Sequence, residues 1–430
     1  MTSNRNSAIS RRQFVKAGAT AAAVASPAIF KSTQALGASK PIKIGFVSPR
    51  TGPLAPFGQA DDFVLASVRA AVKDGIMAGG KRRPIEIIAK DSQSNVNRCS
   101  EVASQLILRD EVDLIVASGA PDTTNPVADQ AEANETPCIT TNCPWQPYFF
   151  GRKGNPKKGF DWTYHFFWGL EDVISVFFNL WGSMPHKKVV GGLWPNDADG
   201  HAWSSPKFGF PPEFKKRGYQ IIDSGRYSVL NDNFSNHIAA FKKAGVELVS
   251  GNQIPPDFAT FWAQSAQQGF RPKIVTIGKA LLFPAAVEAL GDRGVGLSTE
   301  VWWSPFHPFK SGLNGATAAQ YAAQYTEKTG RQWTQPLGYQ HAMFEIAIDV
   351  LTRAKDVGSA KSIVEAIAST NYDSLVGKVR WGNGPVKNVA KTALVGGQWV
   401  KGKKFKYDLL VVNNKTAPNI PTQATFKPIV

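Results

Sequence analysis

Residues 42–58 read IKIGFVSPRTGPLAPFG, and this stretch decides the fold. Its first six residues alternate in polarity, which predicts a β-strand at residues 42–47. A loop rich in glycine and proline follows at residues 48–58, and a helix is predicted at about residues 60–76. A strand, a loop and a helix in this order form the unit from which parallel sheets are built.

The same unit recurs along the chain. In the first part, strands are predicted at residues 83–89, 112–117 and 137–141, with helices at 97–109 and up to 133. Residues 143–160 lose periodicity and are predicted to be a crossover loop. In the second part, strands are predicted at residues 188–194, 219–223, 247–251 and 273–277, with helices at 233–244, 257–268 and 283–290. The predicted class is therefore α/β, with two doubly wound parallel-sheet units.

The last third of the chain differs in character. Helices are predicted at residues 316–329, 339–354 and 360–369. Residues 376–381 and 391–399 are typical of antiparallel strands joined by Gly/Asn turns.

The N-terminus carries an export signal. Ser10-Arg11-Arg12-Gln13-Phe14-Val15-Lys16 matches the twin-arginine motif, and a short apolar stretch rich in alanine follows it. We therefore expect residues 1–38 to be a signal peptide read by the twin-arginine translocase, and the mature protein to be periplasmic. The segment does not end in a cysteine, so a lipoprotein anchor is not expected.

Composition excludes several classes of protein. The 430 residues are 43% hydrophobic and 11% aromatic, which is typical of a folded globular chain, and the net charge is +16. Because the lysines and arginines are scattered and form no binding motif, no nucleic-acid partner is expected. Three cysteines (Cys99, Cys138 and Cys143) give no disulfide framework, although Cys138 and Cys143 are close enough in sequence to pair.

Several short stretches occur in an order that a known family shares. They are Ile44-Gly45-Phe46-Val47-Ser48-Pro49, Thr51-Gly52-Pro53-Leu54, Ala78-Gly79-Gly80, Asp91-Ser92-Gln93-Ser94, Val112-Asp113-Leu114-Ile115-Val116, Pro336-Leu337-Gly338-Tyr339 and Gly377-Lys378-Val379. As an ordered set they resemble the type I periplasmic solute-binding proteins of ABC importers, in the branched-chain amino acid (leucine/isoleucine/valine) class.

The resemblance implies two lobes joined by three hinge crossings, near residues 157, 302 and 370, with a ligand in the cleft. Lobe 1 would comprise residues 39–157 and 302–370, and lobe 2 residues 158–301 and 371–430. The family's role implies no catalysis, no cofactor and no metal. The implied partners are a small molecule and the ABC permease subunits in the inner membrane, and a monomer is expected.

The loops of the cleft depart from the amino-acid binders of that family. In the amino-acid binders, serine and threonine hydroxyls of two loops hold the α-carboxylate of the ligand. Here Pro121 interrupts the serine run of the first loop, and Pro144 displaces the threonine of the second. Lys279 stands where an acid would hold the ammonium, and a buried ammonium without a carboxylate is costly. The favoured ligand is therefore a planar or aromatic compound or a carboxylate, which Lys279 would bind unless it is an exposed loop lysine. A branched-chain amino acid or an amide is the alternative.

The loops that follow the strands supply the candidate site. Asp122 and Asp199 would accept hydrogen bonds from a ligand or cap the next helix. Trp145, Trp168, Trp194, Trp203 and Trp302 lie at strand ends or crossings and would line a flat pocket or pack in the core. The nine predicted ligand-binding residues are Phe57, Ala120, Asp122, Thr123, Asn142, Trp145, Asp199, Ile254 and Lys279.

Enzyme motifs are missing from the sequence: it contains no G-x-S-x-G, H-E-x-x-H or G-x-x-x-x-G-K-S/T. An exported Rossmann-like oxidoreductase is the rival interpretation. It is disfavoured because Pro49, Pro53 and Pro56 remove the N–H donors that a pyrophosphate needs in the first loop. A ligand sensor of the same fold is the other alternative.

Overall fold

The stretch that opens the sequence forms an inner strand of a parallel sheet. In the computed structural model, which describes residues 40–429, Ile42–Ser48 is strand β1. Ile44 pairs with Ile87 on one side and with Leu114 on the other. Because both faces of such a sheet are covered, β1 is buried along almost its whole length. The predicted signal peptide at residues 1–38 lies outside the described residues.

The strands run through the whole described chain. They are β1 (Ile42–Ser48), β2 (Ile76–Ala78), β3 (Lys81–Arg83), β4 (Ile85–Asp91), β5 (Leu114–Ser118), β6 (Cys138–Thr141), β7 (Thr163–Phe166), β8 (Val189–Leu193), β9 (Gln220–Asp223), β10 (Leu248–Gly251), β11 (Ile274–Ile277), β12 (Ser298–Val301), β13 (Asn371–Ser374), β14 (Gly377–Arg380), β15 (Val389–Ala390), β16 (Val395–Lys401) and β17 (Tyr407–Asn413).

The α-helices connect most of these strands. They are α1 (Asp61–Ala71), α2 (Val96–Leu108), α3 (Pro121–Ala133), α4 (Trp145–Gly151), α5 (Leu170–Trp181), α6 (Ala198–Trp203), α7 (Phe210–Lys216), α8 (Ser235–Ala244), α9 (Pro255–Gln267), α10 (Pro284–Glu288), α11 (Ala318–Thr329), α12 (Pro336–Arg353) and α13 (Ala360–Ala368). No helix between residues 40 and 429 is long and apolar enough to cross a lipid bilayer.

Two large sheets define the two lobes. The first has the strand order β15-β7-β6-β5-β1-β4 and is parallel throughout. The second has the order β17-β16-β12-β11-β10-β8-β9, in which β16 runs antiparallel to its two neighbours β12 and β17 and the other pairs are parallel. The predicted α/β class with two doubly wound units is confirmed.

The prediction of a crossover loop at residues 143–160 is wrong. This segment contains α4, and the chain stays in the first lobe beyond it, because β7 pairs with β6 through Ile139 and Tyr164. Helix α4 buries five of its seven residues, so its sequence lacks the polar face that makes a helix recognisable. The first boundary therefore lies after Phe166 and not at residue 157.

The last boundary between the lobes also differs from the predicted position at residue 370. β13 and β14 form a separate hairpin, and β15 then pairs with β7 in the first sheet. Only β16 and β17 join the second sheet. A strand of two residues carries too little periodicity to be predicted from sequence.

The chain consequently passes between the lobes in three short segments, which we call the crossings: residues 167–169, 302–304 and 391–394. Helix α5 already belongs to the second lobe, since Trp181 Nε1 donates to Thr276 Oγ1 of β11 at 2.9 Å. Lys391 of the third crossing is tied to the start of α5, directly after the first crossing, since its ammonium lies 2.7 Å from a carboxylate oxygen of Glu171.

Helix α12 is packed against the second crossing at a glycine. A Cβ atom on Gly338 would lie only 2.4 Å from the indole ring of Trp303, so no larger residue fits there without displacing the ring. The three cysteines are free and buried, and the pairing of Cys138 with Cys143 is not formed.

Candidate functional site

A small cavity lies between the two lobes. It is placed by strand ends: Asn142 directly follows β6, Asn252 directly follows β10, and Lys279 comes two residues after β11. Ligands bind at the carboxyl ends of parallel strands in folds of this kind. The lining residues are Phe57, Asn142, Pro144, Phe167, Trp168, Asp199, Trp203, Asn252, Lys279, Leu282, Glu300 and Trp302.

Aromatic rings form much of the cavity wall. Phe167 of the first crossing packs edge-on against Trp302 of the second, with ring centroids 5.0 Å apart. It also contacts Trp168, at 4.8 Å. Phe57 and Trp203 add one ring from each lobe. Flat, polarizable walls of this kind favour a planar ligand.

Several of the lining residues carry polar groups without partners. Within the described chain, both amide atoms of Asn142 and of Asn252 are buried and make no hydrogen bond. The same is true of the indole N–H groups of Trp168 and Trp302 and of one carboxylate oxygen of Asp199. Buried polar groups are nearly always paired, and each one left unpaired costs about 1–3 kcal/mol. The cavity therefore offers several unused hydrogen-bonding groups from both lobes.

The lysine of the cavity is held by two carboxylates. Lys279 Nζ lies 2.7 Å from Asp199 Oδ2 and 3.0 Å from Asp197 Oδ2, and its side chain is 6% exposed. Burial acts to lower the pKa of Lys279, but Asp197 and Asp199 outweigh it and raise the pKa well above the ordinary value. Its backbone is in an unfavourable conformation, at φ 57°. The alternative of an exposed loop lysine is therefore wrong, and a ligand carboxylate would meet a lysine that is already paired.

Carboxyl groups surround this lysine. Burial raises the pKa of Asp199 to about 6, against the opposing attraction of Lys279. Burial likewise raises the pKa of Glu300 to about 7. Asp122 approaches from the first lobe, and burial and then the charge of Asp197 raise its pKa. The segment at 273–287 lacks an acid, as the sequence shows, but β12 and the loop after β8 supply acids from elsewhere.

Another buried carboxyl group, that of Asp61, lies in the first lobe outside the cavity lining. Its nearest cation, Arg50, is 3.8 Å away. Burial raises the pKa of Asp61 to about 7, although the nearby Ser48 hydroxyl and the charge of Arg50 oppose the change.

Four of the nine predicted residues belong to the lining, namely Phe57, Asn142, Asp199 and Lys279. The other five have structural contacts. Ala120 is the N-cap of α3 and accepts a hydrogen bond from Thr123 Oγ1, at 3.0 Å. Ile254 is the buried N-cap of α9.

Trp145 and Asp122 also lie outside the lining but near it. Trp145 Nε1 donates to Glu171 Oε1, at 3.1 Å, which ties α4 to the start of α5. Burial and the charge of Asp197 raise the pKa of Asp122, while Lys279 and the backbone of Ala198, both in the second lobe, act to lower it. Asp122 therefore contributes to the contact between the lobes.

Eight lining residues were not among those predicted. Trp168, Trp203 and Trp302 had been noted as a possible aromatic pocket. Asn252 was missed, although it follows a strand in the same way as Asn142. Glu300 carries a sequence signal too, because an acid inside a buried strand calls for an explanation. Pro144 had been placed in a cleft loop but not among the binding residues, and Phe167 and Leu282 carry no such signal.

The lobes touch across the cleft. Phe57 of the first lobe packs edge-on against Phe283 of the second, with centroids 5.0 Å apart. Phe150 of α4 stacks on Phe208, at 5.5 Å. The cavity is thus enclosed by both lobes. Among residues 40–429, no group of three or more histidine, cysteine or acidic side chains could hold a metal ion.

Known proteins share this architecture. The family model described as "Periplasmic binding protein" matches residues 41–404. No curated protein is similar enough in sequence to match. The solved structures with this fold include the leucine binding protein LivK of Thermotoga maritima MSB8, which is 19% identical and has a TM-score of 0.70. The alignment covers 87% of this chain and 99% of LivK.

Two further structures were solved with bound ligands. A solute binding protein of an ABC transporter from Rhodopseudomonas palustris BisB5, in complex with 3,4-dihydroxybenzoic acid, is 18% identical with a TM-score of 0.68, over 85% of this chain and 95% of that chain. LivJ of Streptococcus pneumoniae, in complex with isoleucine, is 15% identical with a TM-score of 0.67, over 86% and 99%. At these identities the likeness shows the fold alone.

Proposed function

Since this chain belongs to the periplasmic binding protein family, we propose that it captures a small organic solute between its lobes, delivers it to the permease of an ABC importer, and catalyses no reaction. The family's location is the periplasm. Export by the twin-arginine translocase, through Arg11 and Arg12, belongs to the proposal.

The unpaired polar groups of the cavity support this role most directly. Asn142 belongs to the first lobe and Asn252 to the second, and both amides are buried without partners among the described residues. A molecule that bonds to both would satisfy groups that otherwise destabilise the closed arrangement. Such a ligand therefore favours the closed state of the two lobes over the open state. A transporter can distinguish the loaded protein from the empty one by this change of conformation.

The proposed ligand is a small planar molecule. The cavity is small, and much of its wall is aromatic. An α-amino acid is disfavoured because Pro121 and Pro144 have neither the hydroxyl nor the N–H that would hold its carboxylate. The Rhodopseudomonas palustris protein was solved with 3,4-dihydroxybenzoic acid, which is a planar ring compound. This complex supports a planar shape for the ligand of the present chain, but it does not support a negative charge on that ligand.

Three other roles are alternatives to this proposal. A branched-chain amino acid or amide binder would use this cleft with a different ligand, and a sensor would pass the closure to a signalling partner instead of a permease. An exported oxidoreductase is the remote alternative.

Calorimetric titration of the purified protein with ring-sized planar compounds and with leucine, isoleucine and valine tests the proposal. We expect a planar compound to bind, and the aliphatic amino acids to bind no more tightly than millimolar, about −4 kcal/mol. Asn142→Ala and Asn252→Ala should each weaken binding by about tenfold. Asn134→Ala, at an exposed helix end, is the matched control. Micromolar leucine binding would overturn the ligand class, and binding unaffected by both variants would overturn the site.

A further inference from the structure

The charge around the cavity is unbalanced toward the acidic side. Lys279 is the one basic residue among the twelve that line it. Two carboxylates, Asp199 and Asp197, already share its ammonium. Glu300 also lines the cavity, and Asp122 faces the same group from the first lobe. Paired charges cancel one to one, so at least one negative charge is left over.

An anionic ligand fits this environment poorly. Its carboxylate would compete with Asp199 and Asp197 for a single ammonium, and would lie close to both of them. In a site from which water is excluded, like charges repel far more strongly than at the surface. Only a ligand that displaced an aspartate would gain the lysine, and that aspartate would then be buried without a partner.

A cationic ligand would find partners that are now unused. One oxygen of Asp199 and the amide oxygens of Asn142 and Asn252 are buried acceptors without a donor in the described chain. Their residues are 1–4% exposed, so water does not readily replace a ligand there. Trp168, Trp203 and Trp302 also belong to the lining, and the faces of indole rings attract cations through their negative potential.

We propose that the ligand is a small planar organic cation, such as an amidinium, guanidinium or aryl ammonium compound, whose positive group is held by Asp199, the two asparagine oxygens and the tryptophan faces. This inference rests on the proposed function of the cleft and specifies its substrate class. The ligand would carry no α-carboxylate, because Pro121 and Pro144 interrupt the loops that would bind one.

Three probes of the same shape test the charge alone: benzamidinium, benzamide and benzoate. Titration of the full-length purified protein at neutral pH should give affinities in the order benzamidinium, benzamide, benzoate, with at least about tenfold between the first and the last. Asp199→Asn should reduce benzamidinium affinity by about tenfold or more and leave benzamide affinity within about threefold. Asp61→Asn removes a buried acid outside the lining and should change neither.

The outcomes separate the two proposals. Benzoate or benzamide binding more tightly than benzamidinium would overturn the cationic class while leaving a planar-ligand cleft in place. If no probe binds, both the cationic class and the planar shape are overturned. If Asp199→Asn fails to fold, Glu300→Gln replaces it, and unchanged discrimination between benzamidinium and benzoate in that variant would overturn the inference.

Discussion

Replacing Lys279 by methionine tests the electrostatics of the cavity directly. The change keeps the length of the side chain and removes a charge that two carboxylate oxygens contact at 2.7 and 3.0 Å. At an effective dielectric constant of about 20, each contact is worth about 6 kcal/mol before desolvation is counted. Because the lysine also loses its own desolvation penalty, the expected net loss of unfolding free energy is about 3–5 kcal/mol at pH 8.

The stability loss of Lys279→Met should depend on pH. Without the lysine, the pKa of Asp199 rises above its value of about 6. A carboxyl group whose pKa is raised in the folded state destabilises the fold above that pKa and ceases to do so once it is protonated. The deficit of Lys279→Met should therefore shrink as the pH falls from 8 to 5.

Urea denaturation followed by tryptophan fluorescence at the two pH values measures both quantities. Lys187→Met is the matched control, since it breaks an ion pair with Glu247 in which the lysine is 73% exposed, and it should cost at most about 1 kcal/mol. Adding Asp199→Asn to Lys279→Met should restore part of the loss. A Lys279→Met deficit below about 1 kcal/mol that does not change with pH would refute the buried-pair reasoning.

Four further predictions follow from particular groups. Asp61→Asn should stabilise the protein at pH 8 by about 1–4 kcal/mol and by less than half as much at pH 5, because the destabilisation grows as the pH rises from the ordinary pKa to the folded pKa of about 7; equal effects at both pH values in urea denaturation would contradict this. Gly338→Ala should destabilise by about 1–3 kcal/mol through its clash with Trp303, measured by thermal unfolding, and an unchanged Tm would show that the ring gives way. Changing Arg11 and Arg12 to lysine should leave precursor in the cytoplasm on cell fractionation, whereas normal export would refute the motif. Ligand should reduce the radius of gyration in small-angle scattering as the lobes close, and an identical profile at saturation would contradict a hinge.

The sequence predicts the elements of this fold better than their membership of a lobe. The strand predicted at residues 112–117 is recognisable because burial on both faces favours an apolar run, here residues 114–117. Lobe membership depends on pairing, which is long-range. Nothing local indicates that Val389 pairs with His165, more than two hundred residues earlier. The boundaries near residues 157 and 370 failed for that reason.

The site shows the same division. Asn142 and Lys279 were found because they follow predicted strands, and strand ends converge on the cleft. The state of Lys279 could not be found in this way, since its partners Asp197 and Asp199 follow a different strand, some eighty residues away. The expectation of a free anion-binding lysine required only that the neighbouring residues lack an acid. The partners that decide its charge come from elsewhere in the second lobe.

The cavity shares residues with the crossings, and this limits how specificity can diverge. Phe167 and Trp168 belong to the first crossing and Trp302 to the second, so a substitution that reshapes the pocket there also changes the hinge. Phe57, Asn142, Asn252 and Leu282 are anchored within one lobe and carry no such coupling. New ligand specificity should therefore evolve through substitutions at Phe57, Asn142, Asn252 and Leu282. The same four positions are the ones to randomise when the protein is engineered as a sensor, with Phe167, Trp168 and Trp302 left unchanged.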